Sequence, residues 1–393
     1  MQVLEDVKVL DFSDKYAGSL ATMYLADYGA EVINVEPKEG SFFRSWGPFK
    51  NGKSLTDNYL NSGKKSITVD IETREGQELI KKILPEFDVV STTFSKDYME
   101  KIGLSYETLR EIKEDIIYAA CTDFGYQGTD INRPSSSLIV QARGVAMDMS
   151  GFEEGLPVQC APAVAEQYSA GFLATSIVMA VIDKYKRGIG QQIDISMQDA
   201  IFSAIETAPV CASLTGEILT RKDNFEMSCA PYDSFKTTDG YVAIGVATDS
   251  QWFKCCQAMG WEDLKNDEKF SDNEKRTKDY KNVLRPLVAE RVMGLKKGDV
   301  VDKLSKEGVP CSIVTNIAEV TDMENTKLNN YLVEVESKEL GKITRPNLPF
   351  TLFGTPAKIH SDVAKIGEHT EGILKDGGLS EKEIDELKNA GII

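Results

Sequence analysis

Val7-Lys-Val-Leu-Asp-Phe12, then Ala17-Gly-Ser19 leading into Leu20-Ala-Thr-Met-Tyr-Leu-Ala-Asp-Tyr-Gly29, then Glu31-Val-Ile-Asn-Val-Glu36 before Pro37, is the stretch that decides the fold. The two short apolar runs have the length and β-branched content of buried strands. The piece between them reads as a helix opened by a small-residue turn, with Gly29 placed as its C′ stop. The alternation continues with a charged helix from Arg74 to Pro85, then Asp88-Val-Val-Ser-Thr-Thr93, a further helical stretch, and Ile116-Ile-Tyr-Ala-Ala120. Strands alternating with helices of ten or more residues indicate a parallel sheet with crossover helices. The expected class is α/β with a Rossmann-like parallel sheet.

The first turn argues against a dinucleotide site. That fingerprint needs GxGxxG so that the backbone can approach a pyrophosphate. Here the turn reads AGSLA, with one glycine. Glu36 ends the second strand where a ribose-binding acid would stand, but one acid does not replace the missing glycines.

Residues 165–187, AEQYSAGFLATSIVMAVIDKYKR, read as one long helix. Ser169, Ala170, Gly171, Ala174 and Ser176 permit close packing, and the basic residues at its C-terminal end complement the helix dipole. GIGQQIDISM (188–197) then turns into a strand. Polar sequence from about Lys265 to Lys306 separates GYVAIGV (240–246) from VPCSIV (309–314), which indicates a smaller α+β domain. The tail LSEKEIDELKNAGII reads as a short amphipathic helix with Ser380 as N-cap and Gly391 past its end.

The 393 residues allow two or three domains. The apolar share of 41% and charged share of 27% are ordinary for a soluble globular protein. A formal charge of −17 argues against a nucleic-acid partner, but not against an anionic small ligand held in a local positive pocket. The N-terminus has no basic and apolar pattern of a signal peptide. The most apolar stretch, Ala170 to Ile182, is too short to span a bilayer. Seven cysteines without a CxxC read as reduced thiols of a cytoplasmic protein. Two histidines, His360 and His369, leave no His-rich metal site and no mid-chain triad, so no metal is expected.

Eight stretches in order resemble the class III CoA-transferases, the group of the formyl-CoA, carnitine and bile-acid enzymes. They are LADYGAEVINVEP (25–37), NSGKKSITVDI (61–71), KIGLSYETL (101–109), IIYAACTDFGYQG (116–128), GIGQQIDISMQDA (188–200), TTDGYVAIGV (237–246), EGVPCSIV (307–314) and IGEHTEGIL (366–374). The resemblance implies a large Rossmann-like CoA-binding domain from 1–200 and 330–393, a linker over 201–224 and a small α+β domain over 225–329. It also implies two subunits interlocked as a homodimer, with the segments near 200–225 and 326–350 as long linkers.

The implied activity moves coenzyme A from an acyl-CoA to a free carboxylic acid. Acyl-CoA and acid are the partners, no cofactor is tightly bound, and neither nucleic acid nor membrane is engaged. Keeping the thioester energy calls for covalent catalysis by a carboxylate, through mixed anhydrides and an enzyme–CoA thioester. The matching residue is Glu166, where the family usually has Asp. The helix N-terminus there would favour the ionised carboxylate. The resemblance places Tyr16, Ala17 and Gly18 at the thioester and pantetheine end of CoA, Lys38 and Lys101 near the phosphates, and Thr93 with Phe94 beside the nucleotide. Many members have Gln at Tyr16 and Pro at Ser19. The Gly-rich loop of the formyl-CoA members is matched by Asn224-Phe-Glu-Met-Ser-Cys-Ala230, without Gly, which points to an acid larger than formate. Cys229 has no His nearby in sequence and reads as a buried or loop thiol. The alternatives are an α-methylacyl-CoA racemase, whose His-bearing segment is here Asn132-Arg-Pro-Ser-Ser-Ser137, and an inactive CoA-binding protein.

Overall fold

The computed structural model describes residues 2–393 apart from Pro162 and Met227. The chain forms two compact units, one of Met1–Asp148, Gln159–Leu219 and Asn329–Ile393, the other of Met149–Val158 and Thr220–Leu328.

The first unit is built on six parallel strands: β1 (Lys8–Phe12), β2 (Glu31–Glu36), β3 (Lys65–Thr68), β4 (Val89–Thr92), β5 (Ile117–Thr122) and β6 (Gln192–Ser196). Their order is β3-β2-β1-β4-β5-β6. Val9 of β1 pairs with Val32 on one side and with Val89 on the other, so β1 is central. The strand order reverses at β1, and a crevice opens at the carboxyl ends of β1 and β4, the usual ligand position in such sheets.

Helices α1 (Tyr16–Asp27), α2 (Leu55–Asn61), α3 (Arg74–Ile83), α4 (Lys96–Lys101), α5 (Tyr106–Ile112), α6 (Ser137–Arg143) and α7 (Val164–Arg187) lie in the connections. Side chains alternate along each strand, so the sheet feeds two cores. Val9, Val32, Val89 and Ile117 pack with α1 and α7. Leu10, Ile33, Val90 and Tyr118 pack with Leu79, Met99, Leu109 and the C-terminal residues Leu374 and Ile384. Both faces are covered, so β1, β2, β4 and β5 are buried along nearly their whole length.

The small-residue segment expected as a turn lies inside α1, which already begins at Tyr16. This helix is buried along most of its length, and an all-round apolar helix is the kind that a core encloses. The helical stretch before β5 is two short helices, each capped by a serine, Ser95 and Ser105. Residues 207–215 are helical, and Leu332–Ser337 pairs antiparallel with Gly341–Pro346 in a hairpin.

The GIGQ segment has a steric reason. Gly188 ends α7 in the left-handed region at φ 70°. A Cβ on Gly190 would sit 2.3 Å from the carbonyl carbon of Asp115 and 2.4 Å from the oxygen of Ile116. Only glycine lets the chain pass that backbone on its way into β6. Taken as a whole rather than by its most apolar piece, α7 has 24 residues and is long and apolar enough to cross a membrane by length and composition. Its Ala170, Leu173, Ile177, Ala180 and Val181 nonetheless form a helical stripe buried against the sheet core.

In the second unit, Tyr232–Thr237, Gly240–Gly245 and Cys311–Ile313 form an antiparallel sheet over a core of Phe235, Val242, Trp252 and Leu284. Arg276 is buried there. It donates from Nε to the Ala230 oxygen at 2.8 Å and from its guanidinium to Asp249 at 2.8 Å, and lies over the Trp252 ring. Cys229 is buried, and burial pushes its thiol up, away from a reactive thiolate. Within segment 224–230, Met227 lies outside the described residues.

The hairpin of the first unit is anchored by Arg345, which is buried. Its guanidinium donates to Ser62 Oγ at 2.8 Å and to the His360 oxygen at 2.9 Å, over the ring of Tyr59. Asp27 is buried with it and accepts from the His360 amide at 3.4 Å. Burial raises the Asp27 carboxyl from an ordinary 3.8 to about 6, against the opposing pull of Arg345, the His360 amide and Lys64. The folded chain therefore keeps a proton that the unfolded chain loses near pH 4. Stability falls as pH rises from about 4 through 6. The expected loss from this group is on the order of 2–3 kcal/mol between pH 4 and 7. Denaturant titrations across that range should show the slope reduced by this amount in Asp27→Asn.

Candidate active site

Glu166 lies in the first turn of α7, behind Ala163 at φ 59°, and no side chain caps that helix start. Acidic charge there is favoured by the exposed amides. The carboxylate is half-buried and accepts a hydrogen bond from Ser137 Oγ at 3.0 Å. Ser137, the first residue of α6, in turn accepts from Gln141 Nε2 at 3.3 Å. Gln141 is fully buried. Its amide also donates to the Ala161 oxygen at 3.4 Å, and its Oε1 accepts from the Cys160 amide at 3.1 Å. With the Gln141 amide on its lone pair, the Ser137 hydroxyl proton is left to point at Glu166.

Tyr16 opens α1 beside this helix start. Its phenol is pushed up to about 12, first by burial, then by Tyr59 and by the charge of Glu166. It stays protonated at neutral pH and can donate. Tyr24, about two turns further along α1, donates to Gln167 Oε1 at 3.3 Å. Ala17 and Gly18 are buried in the same first turn. A Cβ on Gly18 would stand 2.3 Å from Ser13 Oγ and 2.5 Å from Thr93 Cγ2, so this glycine lets α1 seat on the end of β4.

Thr93 is buried and its hydroxyl is engaged. It accepts from the Asp14 and Lys15 amides at 3.0 and 3.2 Å and donates to Asp14 Oδ1 at 2.6 Å. The Thr93 side chain thereby ties the entry of α1 to β4. Lys38 and Phe94 line one cavity of about 420 Å³ at the carboxyl ends of β1, β2, β3 and β4, together with Pro37, Ile71 and Tyr98. Phe94 packs on Tyr98 with centroids 4.8 Å apart. Lys101 ends the helix that carries Tyr98 and is exposed, outside that lining. The expected residues thus fall into four places: Glu166 with Tyr16, Lys38 with Phe94, Ala17, Gly18 and Thr93 packed between, and Lys101 apart.

Glu36 is not free for a ribose. Its carboxylate accepts from Arg44 Nε at 2.7 Å, Arg44 Nη2 at 2.6 Å, the Ser41 amide at 2.8 Å and Ser66 Oγ at 2.5 Å. His369 likewise has a structural bond, accepting from the Ser66 amide at Nδ1. Among the described residues no cluster of His, Cys, Asp and Glu could hold a metal ion.

The model of CoA-transferase family III matches residues 4–370. The chain belongs to CoA-transferase family III. It is similar to a succinate–glutarate CoA-transferase of Agrobacterium fabrum, 28% identical over 95% of both chains. It is also similar to a succinyl-CoA:mesaconate CoA-transferase of Haloarcula hispanica, 31% identical over 96% of this chain and 97% of that one. Among solved structures, a CAIB/BAIF family protein from Brucella suis superposes with a TM-score of 0.85 and 29% identity, over 96% of this chain and 99% of that one. This family III enzyme moves CoA from an acyl-CoA to a free carboxylic acid.

Ser137 and Gln141 were not legible as site residues. Ser135-Ser-Ser137 before a helical run signals a helix start and nothing more. Their approach to Glu166 is a tertiary contact across 29 residues. A hydrogen bond to a charged group contributes about 1.5–3 kcal/mol. Ser137→Ala should therefore slow CoA exchange by roughly 10- to 100-fold at unchanged thermal stability, measured by steady-state kinetics and a melting curve.

Proposed function

We propose that Glu166 is the nucleophile of this CoA-transferase. Its carboxylate attacks the donor thioester, giving a mixed anhydride and free CoA thiolate. The thiolate attacks the glutamyl carbonyl, releasing the donor's carboxylate and leaving a glutamyl–CoA thioester. The acceptor carboxylate repeats the sequence in reverse, and Glu166 is regenerated. The observation that supports this is the Ser137 hydroxyl aimed at a carboxylate in the uncapped first turn of α7. A hydroxyl and helix amides are suited to stabilising the tetrahedral oxyanions of each step. The names of the relatives support a short dicarboxylyl-CoA as donor and an acceptor larger than formate. The crevice at the strand ends, lined by Lys38, Phe94 and Tyr98, is the place read for the nucleotide end of CoA.

The reading extends to the working form. CoA is a substrate, with no tightly bound cofactor, in a cytoplasmic, interlocked homodimer of large and small domains. Phe172, Met179, Ile182 and Tyr185 expose apolar surface along α7, which favours cover by a second copy. Light scattering should give twice the 43.4 kDa chain mass.

Glu166→Gln should lower CoA exchange at least about a thousandfold and leave the dimer intact. Hydroxylamine added with an acyl-CoA should place a hydroxamate on the wild-type peptide containing Glu166. A Gln variant that still transfers CoA would sink the assignment.

A further inference from the structure

The Arg345 hairpin lines a second cavity in the first unit, of about 620 Å³. Tyr16 and Gln167 line it, so it reaches the turn of α7 that carries Glu166. Lys50, Lys342 and Arg345 line it as well, together with Tyr59. No Asp or Glu is among its described lining residues. That is unusual on a chain of net charge −17. The cavity at the strand ends, by contrast, is lined by Asp14, Glu36, Glu39, Asp70 and Glu72 against one lysine.

The cations differ in how far they are already engaged. Lys50 makes no ion pair among the described residues. Lys342 pairs with Glu334 at 2.7 Å, but both are well exposed, and such a pair is weak and exchangeable. Arg345 is spent on Ser62, the His360 oxygen and Tyr59, and Asp27 offsets its charge, yet its Nε–H is buried without a partner.

We propose that this cavity holds the far carboxylate of a dicarboxylic acid whose near carboxylate exchanges CoA at Glu166, with Lys50 and Lys342 as the specificity-determining cations. The proposal rests on the reading of Glu166 as nucleophile. A monocarboxylate of equal length would leave the lysines without an anion, and would bind more weakly.

The test reads binding rather than chemistry, so that its failure is separate from a failure of the nucleophile assignment. Succinate and butyrate are titrated calorimetrically into full-length Glu166→Gln protein. Succinate should bind at least tenfold more tightly than butyrate. Lys50→Gln combined with Lys342→Gln should remove that preference, and Lys50→Arg should keep it. Equal binding of the two acids, no binding of succinate, or a preference untouched by the double variant would each overturn the proposal. An active Glu166→Gln enzyme would instead overturn the nucleophile and leave the binding result standing.

Discussion

The buried carboxylate of Asp11 is the interaction on which the arrangement depends. One oxygen accepts from the Ser13 amide at 3.0 Å; the other accepts from Thr22 Oγ1 at 2.6 Å and from Lys64 Nζ at 3.1 Å. Lys64 also donates to the Ser19 oxygen at 2.9 Å and to Asn61 Oδ1 at 2.8 Å. The end of β1, the body of α1 and the entry to β3 are thereby tied at one point. Burial lowers the Lys64 ammonium, and Asp11 opposes that shift. A buried ion pair adds little net stability, but either partner alone would be an uncompensated buried charge, so the geometry has few alternatives.

From that anchor the site follows by packing. α1 can approach the sheet because Gly18 has no side chain to meet Ser13 and Thr93. Seated there, it carries Tyr16 and Tyr24 toward the start of α7. α7 is placed by its own small and apolar stripe, and the passage of Gly190 against residues 115 and 116 sets where the chain leaves it. Glu166 therefore sits on rigid helix rather than on a loop, with Gln141 and Ser137 holding its carboxylate. Positioned groups of this kind lose little reorganisation energy during reaction.

The parallel sheet was readable because its central strands are short and buried on both faces, and because helical segments separate them. Element edges were less readable. Ala17-Gly-Ser19 has turn composition, yet burial beneath the sheet makes it the first turn of a helix. The family resemblance implies a linker over residues 326–350; within it Leu332–Ser337 pairs with Gly341–Pro346 in a hairpin that delivers Arg345 into the first unit. Glu36 looked like a ribose acid by position alone, and only its four hydrogen bonds show that it is taken.

By itself the chain's order of residues determined the α/β class, the long helix with its basic end and the glycine-bounded turn after it. Hydrophobic period and glycine placement are local properties, and they survive in a linear reading. Glu166 was marked by the resemblance to CoA-transferase family III rather than by any local property. Tertiary structure alone decided which groups stand around that carboxylate. Ser137, Gln141, Tyr59 and the lysine-lined cavity come from segments far apart in sequence, and no periodic signal links them. Their meeting is a consequence of how α1, α6, α7 and the hairpin pack.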